Sequence, residues 1–462
     1  MPQTTSLKTE SLSSKGRALD REKKFEIIGA LPGEEVSFEL GPKRKKRRLC
    51  YLREILKPST ERCAPRCSHV PLCGGCAFQH WDYPFQLKHK MEIVKKEFHE
   101  LIEEHQPEIR PILECDDPWR YRNKMEFSFS ENREGEKFLG LMMAGARGKV
   151  LSLKECHLTS EWFADVVRTA QAFWEQSDLR AYHHRTDRGH LRTLTVREAK
   201  QGKGKMVMLT VSGNPDFALK KSQIAQFVKD MQATAPEENL SIFLQIQQIA
   251  KGRPTQFFEM PLSGPDHISE RLYIELYGET HTFDFKISPT SFFQPNTLQA
   301  QKLYSCGLQM LSNLEDAVVF DLYCGGATLG LSAAKCAREV VGIELNHHSV
   351  FDAGWNQEEN KIKNFSIHRG DVGEVLERLK DKLTSPDIVI VDPPRAGLDE
   401  KALFHLKELS PKEILYISCN PKTQAANIAQ LVKHGYQLNI LQPVDQFPHT
   451  PHIENIALLQ KT

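Results

Sequence analysis

The sequence predicts an α/β protein: a doubly wound sheet in the C-terminal third, a small all-β module at the start and a mixed α/β middle. Three observations carry this. After about Ser288, short apolar runs alternate with Gly turns and helical segments, the pattern of parallel strands joined by crossover helices. Before Pro58 the apolar residues alternate with period two, as in half-buried strands. Between Cys63 and Cys76 four cysteines crowd into one loop, a metal-site pattern rather than a disulfide framework. At about 150 residues per domain, the 462-residue chain is long enough for three domains.

Composition bounds the rest. Apolar residues make up 40% and charged residues 26%, which supports buried cores and excludes disorder throughout. Lys+Arg number 61 and Asp+Glu 60. A whole-molecule basic field is therefore excluded, and any nucleic-acid site must come from local clustering. No apolar run approaches ~18 residues, so no membrane span is expected. The opening MPQTTSLKTESLSSKGR has no apolar core, so the expected compartment is the cytoplasm. No obligate protein partner is evident, and a monomer is expected.

In chain order, the first dozen residues read as a loose tail. Phe25–Ile28, Val36–Leu40 and Leu49–Leu56 read as strands, with a turn at Leu31-Pro32-Gly33-Glu34 and a basic hairpin tip at Lys43–Arg48. Tyr83–Glu104 is predicted as one amphipathic helix, from Leu87, Met91, Val94, Phe98 and Leu101. Trp119 to about Leu153 reads as strands joined by Gly turns, Glu161–Glu175 as a helix, and Leu191–Val196 with Met206–Val211 as a hairpin. Pro254–Pro265 is loop-like. The last third gives strands at Val318–Leu322, Val340–Glu344, Ile388–Asp392 and Glu413–Ile417, with a helix over Leu329–Ala337.

The first of these strands runs into Asp321-Leu322-Tyr323-Cys324-Gly325-Gly326-Ala327-Thr328. Adjacent glycines let the backbone approach a ligand beyond the strand end, and Glu344, closing the next strand, can hold ribose hydroxyls. A nicotinamide site would want Gly-x-Gly-x-x-Gly. Two acidic strand ends with Gly-Gly favour S-adenosylmethionine (SAM) over that and over an ordinary turn. Asp392-Pro393-Pro394 puts a further carboxylate at a strand tip fixed by two prolines. Arg395 stands where an amino-methyltransferase would carry an aromatic residue.

Ser418-Cys419-Asn420-Pro421 follows an apolar strand, so Cys419 lies at the same carboxyl edge. A strand-end Cys is commonly a small hydrophobe; beside a SAM site it reads as a nucleophile. Carbon 5 of uracil is a poor nucleophile until a thiolate adds at carbon 6, and the carbon 5 proton must afterwards leave. The chemistry therefore needs a Cys and a separate base. Phe447–Glu454 offers Glu454 first and His452 second. Cys67, Cys73, Cys76 and the distant Cys156 supply four thiolates, which suit zinc or an iron–sulfur cluster alike. Cys63 is an extra thiol, and its spacing fails the radical-SAM pattern.

These segments together resemble the RNA uracil-5 methyltransferases, in particular the iron–sulfur members that modify ribosomal RNA. The matching pieces are Leu31–Glu34, Cys73-Gly74-Gly75-Cys76, Phe293-Gln294-Pro295-Asn296, Asp321–Gly325, Asp392–Arg395, Ser418–Pro421 and His452-Ile453-Glu454. They occur in family order over nearly the whole chain. The resemblance implies Cys419 as nucleophile and Glu454 as base. It implies Gln294, Tyr323, Glu344 and Asp392 around the SAM and target-base pocket, and Thr328 and Asp371 as cofactor contacts. It favours a [4Fe–4S] cluster on Cys67, Cys73, Cys76 and Cys156. The domains would be a TRAM-like, OB-like RNA-binding β-barrel over 1–60, a cluster-carrying α/β domain over 61–285, and a Rossmann-like SAM-dependent methyltransferase domain over 286–462. The implied substrate is a uridine in RNA, with 23S ribosomal RNA ahead of transfer RNA by family analogy.

Two segments could touch RNA. The basic hairpin tip suits phosphates, although such runs are usually only solvated. Trp119-Arg120-Tyr121-Arg122-Asn123-Lys124 could stack unpaired bases between cations, or be a strand with one basic face. Two rivals to uridine methylation are cytosine-5 methylation, which shares the thiol logic, and a non-catalytic RNA-binding protein on a metal scaffold, which needs no reactive Cys419.

Overall fold

The computed structural model describes residues 4–44, 46–146, 148–249, 252–379 and 382–462. Strands β1 (Thr4–Leu12), β2 (Ala18–Asp20), β3 (Phe25–Ile28), β4 (Glu35–Arg44) and β5 (Arg47–Lys57) close into a barrel of order β1-β2-β3-β5-β4. Ala18, Ile27, Val36, Phe38 and Cys50 fill it. The expected loose tail is instead β1, paired along β4 from Thr4↔Glu39 to Lys8↔Glu35. Its polar composition hid it, because Thr9 is buried with its hydroxyl donating to the Leu31 and Glu34 carbonyls. At the β4–β5 tip Lys43 and Lys46 are exposed, while Lys45 and the Arg44 side chain lie outside the described residues.

The cysteine loop leads into α1 (Tyr83–Glu97) and α2 (His99–His105). The single helix expected here is broken at Phe98, which leaves helical geometry at φ −100°, ψ 8°. Phe98 is fully buried with Val94 and Leu101 against the C-terminal sheet, so the strongest anchor in the periodic pattern is also the bend. Strand β6 (Glu108–Ile109) follows.

The central sheet comprises β7 (Lys124–Glu131), β8 (Lys137–Met142), β9 (Val150–Ser152), β10 (Leu191–Glu198), β11 (Lys205–Ser212), β12 (Ser241–Gln248) and β13 (Gln256–Ser263). Its order is β13-β12-β11-β10-β7-β8-β9. Helices α3 (Glu161–Glu175) and α4 (Lys221–Gln232) pack against it through Trp162, Phe163, Val166, Phe173, Trp174 and Phe227. The α3 bounds and the β10–β11 hairpin match the sequence pattern. The loop expected at Pro254–Pro265 is largely β13. Its Pro261 is tolerated because β13 is an edge strand paired only to β12.

The hairpin β14 (Ile268–Leu276) and β15 (Glu279–Ile287) leads to α5 (Thr297–Gln309) and then to the large sheet. There β16 (Val318–Leu322), α6 (Thr328–Ala333), β17 (Glu339–Glu344), α7 (His347–Glu359), β18 (Phe365–Arg369), α8 (Val372–Leu379), β19 (Ile388–Val391), α9 (Glu400–Leu409), β20 (Glu413–Ser418) and α10 (Pro421–Val432) alternate. The antiparallel strands β21 (Tyr436–Val444) and β22 (Glu454–Lys461) close the chain. The order is β18-β17-β16-β19-β20-β22-β21-β6, with β16 to β20 mutually parallel and β22 antiparallel to β20. The sheet thus recruits β6, and with it α1 and α2, from far upstream in the chain. Among the described residues no helix is long and apolar enough to cross a membrane.

A buried ion pair fastens that upstream segment. Lys90 on α1 donates to Asp445 at 2.5 Å and to the Phe447 carbonyl at 3.0 Å, with both charged side chains fully buried. Removing one partner strands a buried charge, at a cost of about 3–5 kcal/mol, whereas replacing both by apolar groups is far milder. Lys90→Met should therefore lower the urea unfolding midpoint sharply, and the double variant Lys90→Met/Asp445→Leu should recover most of the loss.

Candidate active site and thiol cluster

The parallel strands all end at one edge, and the residues singled out from sequence lie along it in strand order. Asp371 follows β18, Glu344 ends β17, and the Tyr323–Thr328 turn follows β16. Asp392 follows β19, Cys419 follows β20, and Glu454 opens β22. Adjacent strands lie about 4.8 Å apart, so neighbouring ends are within reach of one small ligand. The order reverses between β16 and β19, the switch point where such sheets leave a crevice.

The turn after β16 is unusual backbone. Tyr323, Gly325 and Ala327 all have positive φ, at 64°, 56° and 63°, and left-handed non-glycine residues concentrate at functional sites. The Gly325 N–H donates to Glu344 at 3.0 Å, and the Asn346 N–H donates to its other carboxylate oxygen at 2.6 Å. The Gly330 N–H donates to Asp321 at 2.8 Å, and a Cβ at Gly330 would lie 2.7 Å from that oxygen. Thr328 begins α6. Asp371 accepts from the Glu374 N–H at 3.2 Å, in the manner of a helix cap.

Gln294 is buried beside the start of α5. Its carbonyl accepts from Asn123 at 2.9 Å, and its side-chain oxygen has no partner among the described residues. Tyr304 on α5 points its hydroxyl toward Gln294 and into the field of Asp392, Glu454 and Asp321. The sequence reading missed Tyr304 because a core-facing helical tyrosine carries no motif.

Burial controls the electrostatics. Asp321 is pushed up to about 8, by burial first and then by the nearby Asp392 and Glu344 carboxylates, against the Gly330 N–H. Asp392 is pushed up to about 7 by burial. Glu454 is raised well above the carboxylate range by burial and by Asp392, with Arg395 opposing. The Cys419 thiol is pushed up to about 11 by burial, Glu454 and Asp392, while Arg395 opposes by charge and by a side-chain hydrogen bond. Cys419, Glu454, Asp392 and Arg395 are thus one interacting group. Arg395, which the sequence marks as standing in place of an aromatic and as the end of the Asp392–Arg395 segment, is the cation facing the thiol. His452 is exposed, unlike the buried Glu454.

A second constellation lies between the cysteine loop and β8–β9. Cys67, Cys73, Cys76 and Cys156 line one cavity with Val70, Met125, Leu141, Leu153 and Leu158. Cys67 is pushed up to about 11 by burial, with Glu155, Cys156 and Cys73 adding to it; Cys73 is raised by burial and by Cys156, and Cys76 by burial and by Cys156, Cys73 and Cys67. Thiolates gathered in such surroundings require a cation among them. A tetrahedral zinc with Zn–S of ~2.3 Å needs sulfurs about 3.8 Å apart. Among the described residues no three of these sulfurs lie within 4.8 Å of one another, whereas Cys67, His69 and Glu155 do. Cys63 instead faces Asp82 and the Gln79 carbonyl.

The aromatic–basic segment is engaged within the protein. Tyr121 is buried with its hydroxyl donating to the Pro448 carbonyl at 3.1 Å, and Trp119 lies between the Arg66 guanidinium and the His449 ring. Base stacking by Tyr121 is therefore excluded in this conformation.

A family model described as tRNA (uracil-5-)-methyltransferase matches residues 222–462. An uncharacterized RNA methyltransferase of Protochlamydia amoebophila is 48% identical over 441 residues, covering 94% of this chain and 99% of that protein. Another, of Clostridium acetobutylicum, is 33% identical over 449 residues, covering 96% and 94%. Among solved structures, the Pyrococcus abyssi tRNA (uracil-54, C5)-methyltransferase in complex with S-adenosyl-L-homocysteine superposes with a TM-score of 0.75 at 24% identity. That match covers 98% of this chain and 99% of the other, a likeness of fold.

With the thiol at about 11, the thiolate fraction climbs nearly tenfold per pH unit from neutrality to about pH 10. Alkylation of Cys419 by iodoacetamide, followed by peptide mass spectrometry, should rise with that slope. Arg395→Met removes the opposing cation and should slow the reaction at any fixed pH in this range.

Proposed function

The chain belongs to the tRNA (uracil-5-)-methyltransferase family and is a SAM-dependent RNA methyltransferase; from that premise we propose that it methylates carbon 5 of a uridine, in 23S ribosomal RNA ahead of transfer RNA. The observation that carries this reading is a register. Ser418 pairs with Asn455, so the residues on either side, Cys419 and Glu454, are neighbours at the edge where the acidic strand ends gather. Their mutual electrostatic effect supports the same proximity.

SAM supplies an electrophilic methyl group on a positively charged sulfur. Glu344, Tyr323, Thr328 and Asp371, with Gln294 and Asp392, would line the pocket for the cofactor and the target base at the switch point. The uridine must leave its stack to expose carbon 6. Cys419 loses its proton, with Arg395 favouring the thiolate, and its sulfur bonds to carbon 6. The C5=C6 electron pair moves toward the C4 carbonyl, giving an enolate rich at carbon 5. That carbon would bond the methyl carbon as the sulfonium–methyl bond breaks, its electron pair staying on sulfur to leave S-adenosyl-L-homocysteine. Glu454 then removes the carbon 5 proton, the electron pair re-forms C5=C6, and the sulfur–carbon 6 bond breaks. One proton is released overall. Glu454 must be ionised to take that proton, a form that Arg395 favours; once ionised, a carboxylate raised by burial is a stronger base than a solvated one.

Cys67, Cys73, Cys76 and Cys156 would hold a [4Fe–4S] cluster, which would supply a fixed junction between the cysteine loop and the central sheet. The four thiols lining one cavity support a thiolate-held centre, and the family resemblance favours the cluster over zinc. The β-barrel, with its basic tip, would be the TRAM-like RNA contact.

Cys419→Ala should lower methyl transfer by at least about 10⁴-fold while RNA and SAM still bind; retained turnover would remove Cys419 from the mechanism. RNA carrying 5-fluorouridine should form a stable covalent adduct, because fluorine cannot leave as a proton does. Glu454→Gln should accumulate methylated protein–RNA adduct with turnover down about 10²–10⁴-fold. Anaerobic protein should contain about four irons with sulfide per chain; one zinc without sulfide would overturn the cluster. Mapping 5-methyluridine in RNA from cells lacking the protein identifies the target.

A further inference from the structure

The segment between β21 and β22 carries His449, five residues before Glu454 in the chain. His449 is buried, with φ 63°. Its carbonyl accepts from the Ala77 and Phe78 N–H groups at 2.9 and 3.1 Å, and Ala77 is the residue after Cys76. Its own N–H donates to the Gln86 side chain at 3.1 Å, and its Nδ1 faces the Gln86 amide nitrogen at 3.2 Å. Its ring stacks on Trp119 at 3.9 Å.

Trp119 extends the connection. On it lies the guanidinium of Arg66, which precedes Cys67, at 4.5 Å. Edge-on to it stands His157, which follows Cys156, with ring centroids 6.4 Å apart. Three of the four thiols thus have a chain neighbour that touches His449 or its stacking partner. Beyond His449 the path to Glu454 is short and tied. The Thr450 hydroxyl donates to the Phe447 carbonyl at 2.8 Å and accepts from the His452 N–H at 3.2 Å. Ile453 is buried.

We propose that His449 is a positioning residue through which the Cys67/Cys76/Cys156 site sets the placement of Glu454. The inference rests on the assignment of Cys419 as nucleophile and Glu454 as base. Its consequence is selective. Cys419 sits on the β20–α10 connection, outside the 445–453 segment, so a displaced segment leaves thiol addition and methyl transfer in place and impairs the removal of the carbon 5 proton. Loss of the metal centre should therefore appear as a stalled covalent adduct, not as lost RNA affinity.

His449→Asn is the test variant, because Asn tolerates left-handed backbone while the stacking ring is lost. With uridine RNA and SAM it should accumulate methylated adduct, with turnover down about tenfold and RNA affinity unchanged. Trp119→Ala should do the same and Trp119→Phe should restore release, which covers the case of an unstable His449 variant. Wild-type protein stripped of metal by a chelator, with metal content assayed separately, should show the same stalled adduct. Normal release in these forms, or weakened RNA binding as their main defect, would overturn the coupling and leave the nucleophile assignment intact. Absence of any adduct, even from wild type on 5-fluorouridine RNA, would overturn the nucleophile assignment and this inference together.

Discussion

The arrangement depends on strand polarity at one sheet edge. Parallel strands deliver their carboxyl ends to the same side, and the antiparallel β22 delivers its amino end there too. A carboxylate at the first residue of β22 and a thiol just past the last residue of β20 therefore become neighbours without any loop having to bring them together. The constraint is strict. A one-residue slip of β22 against β20 would turn every β22 side chain to the opposite face, exchanging Ile456 and Leu458, packed in one buried layer, with Ala457 and Leu459, packed in the other. Packing of those apolar residues on both layers thus locks the register that places the acidic group, and the chemistry inherits its geometry from the core.

Much of this was legible in the sequence because it is local. A strand end, a turn and a helix start lie within a few residues, so Asp321–Thr328, Asp392–Arg395 and Ser418–Pro421 could be set at strand ends from apolar runs and turn residues alone. Helix α3 was legible for the same reason, its buried stripe being complete within one element. What failed was non-local or disguised by polarity. Strand β1 is mostly Thr, Ser and Lys and is specified by pairing with β4. Strand β13 contains a proline that only its edge position permits. The break at Phe98 sits where its ring is buried against a sheet built mostly from residues hundreds of positions later.

The contacts of Trp119 and Tyr121 show the same limit. Aromatics interleaved with cations satisfy the compositional rule for a nucleic-acid surface, yet here they are internal joints, one ring between Arg66 and His449 and the other bonded to Pro448. Composition cannot separate an aromatic that faces solvent from one that faces a loop more than three hundred residues away. Lys90 and Asp445 are the charged counterpart. Each alone reads as a surface residue, and only the fold reveals that they are desolvated together.

The concentration of acid at the active edge carries a further meaning. Asp321, Asp392 and Glu454 are all raised above the ordinary carboxylate range, with burial the first cause in each case. Without a nearby cation such a set holds its protons, and every added negative charge makes the next ionisation harder. Arg395 is the cation acting on Cys419 and Glu454, and it is exposed rather than enclosed. An edge of this kind gains most from a ligand that brings positive charge into the crevice, because that charge offsets desolvation of several carboxylates at once. A neutral ligand of the same shape gains only contact area. The excess of buried acid over enclosed base is thus itself a preference for a cationic ligand such as a sulfonium, written into the strand ends.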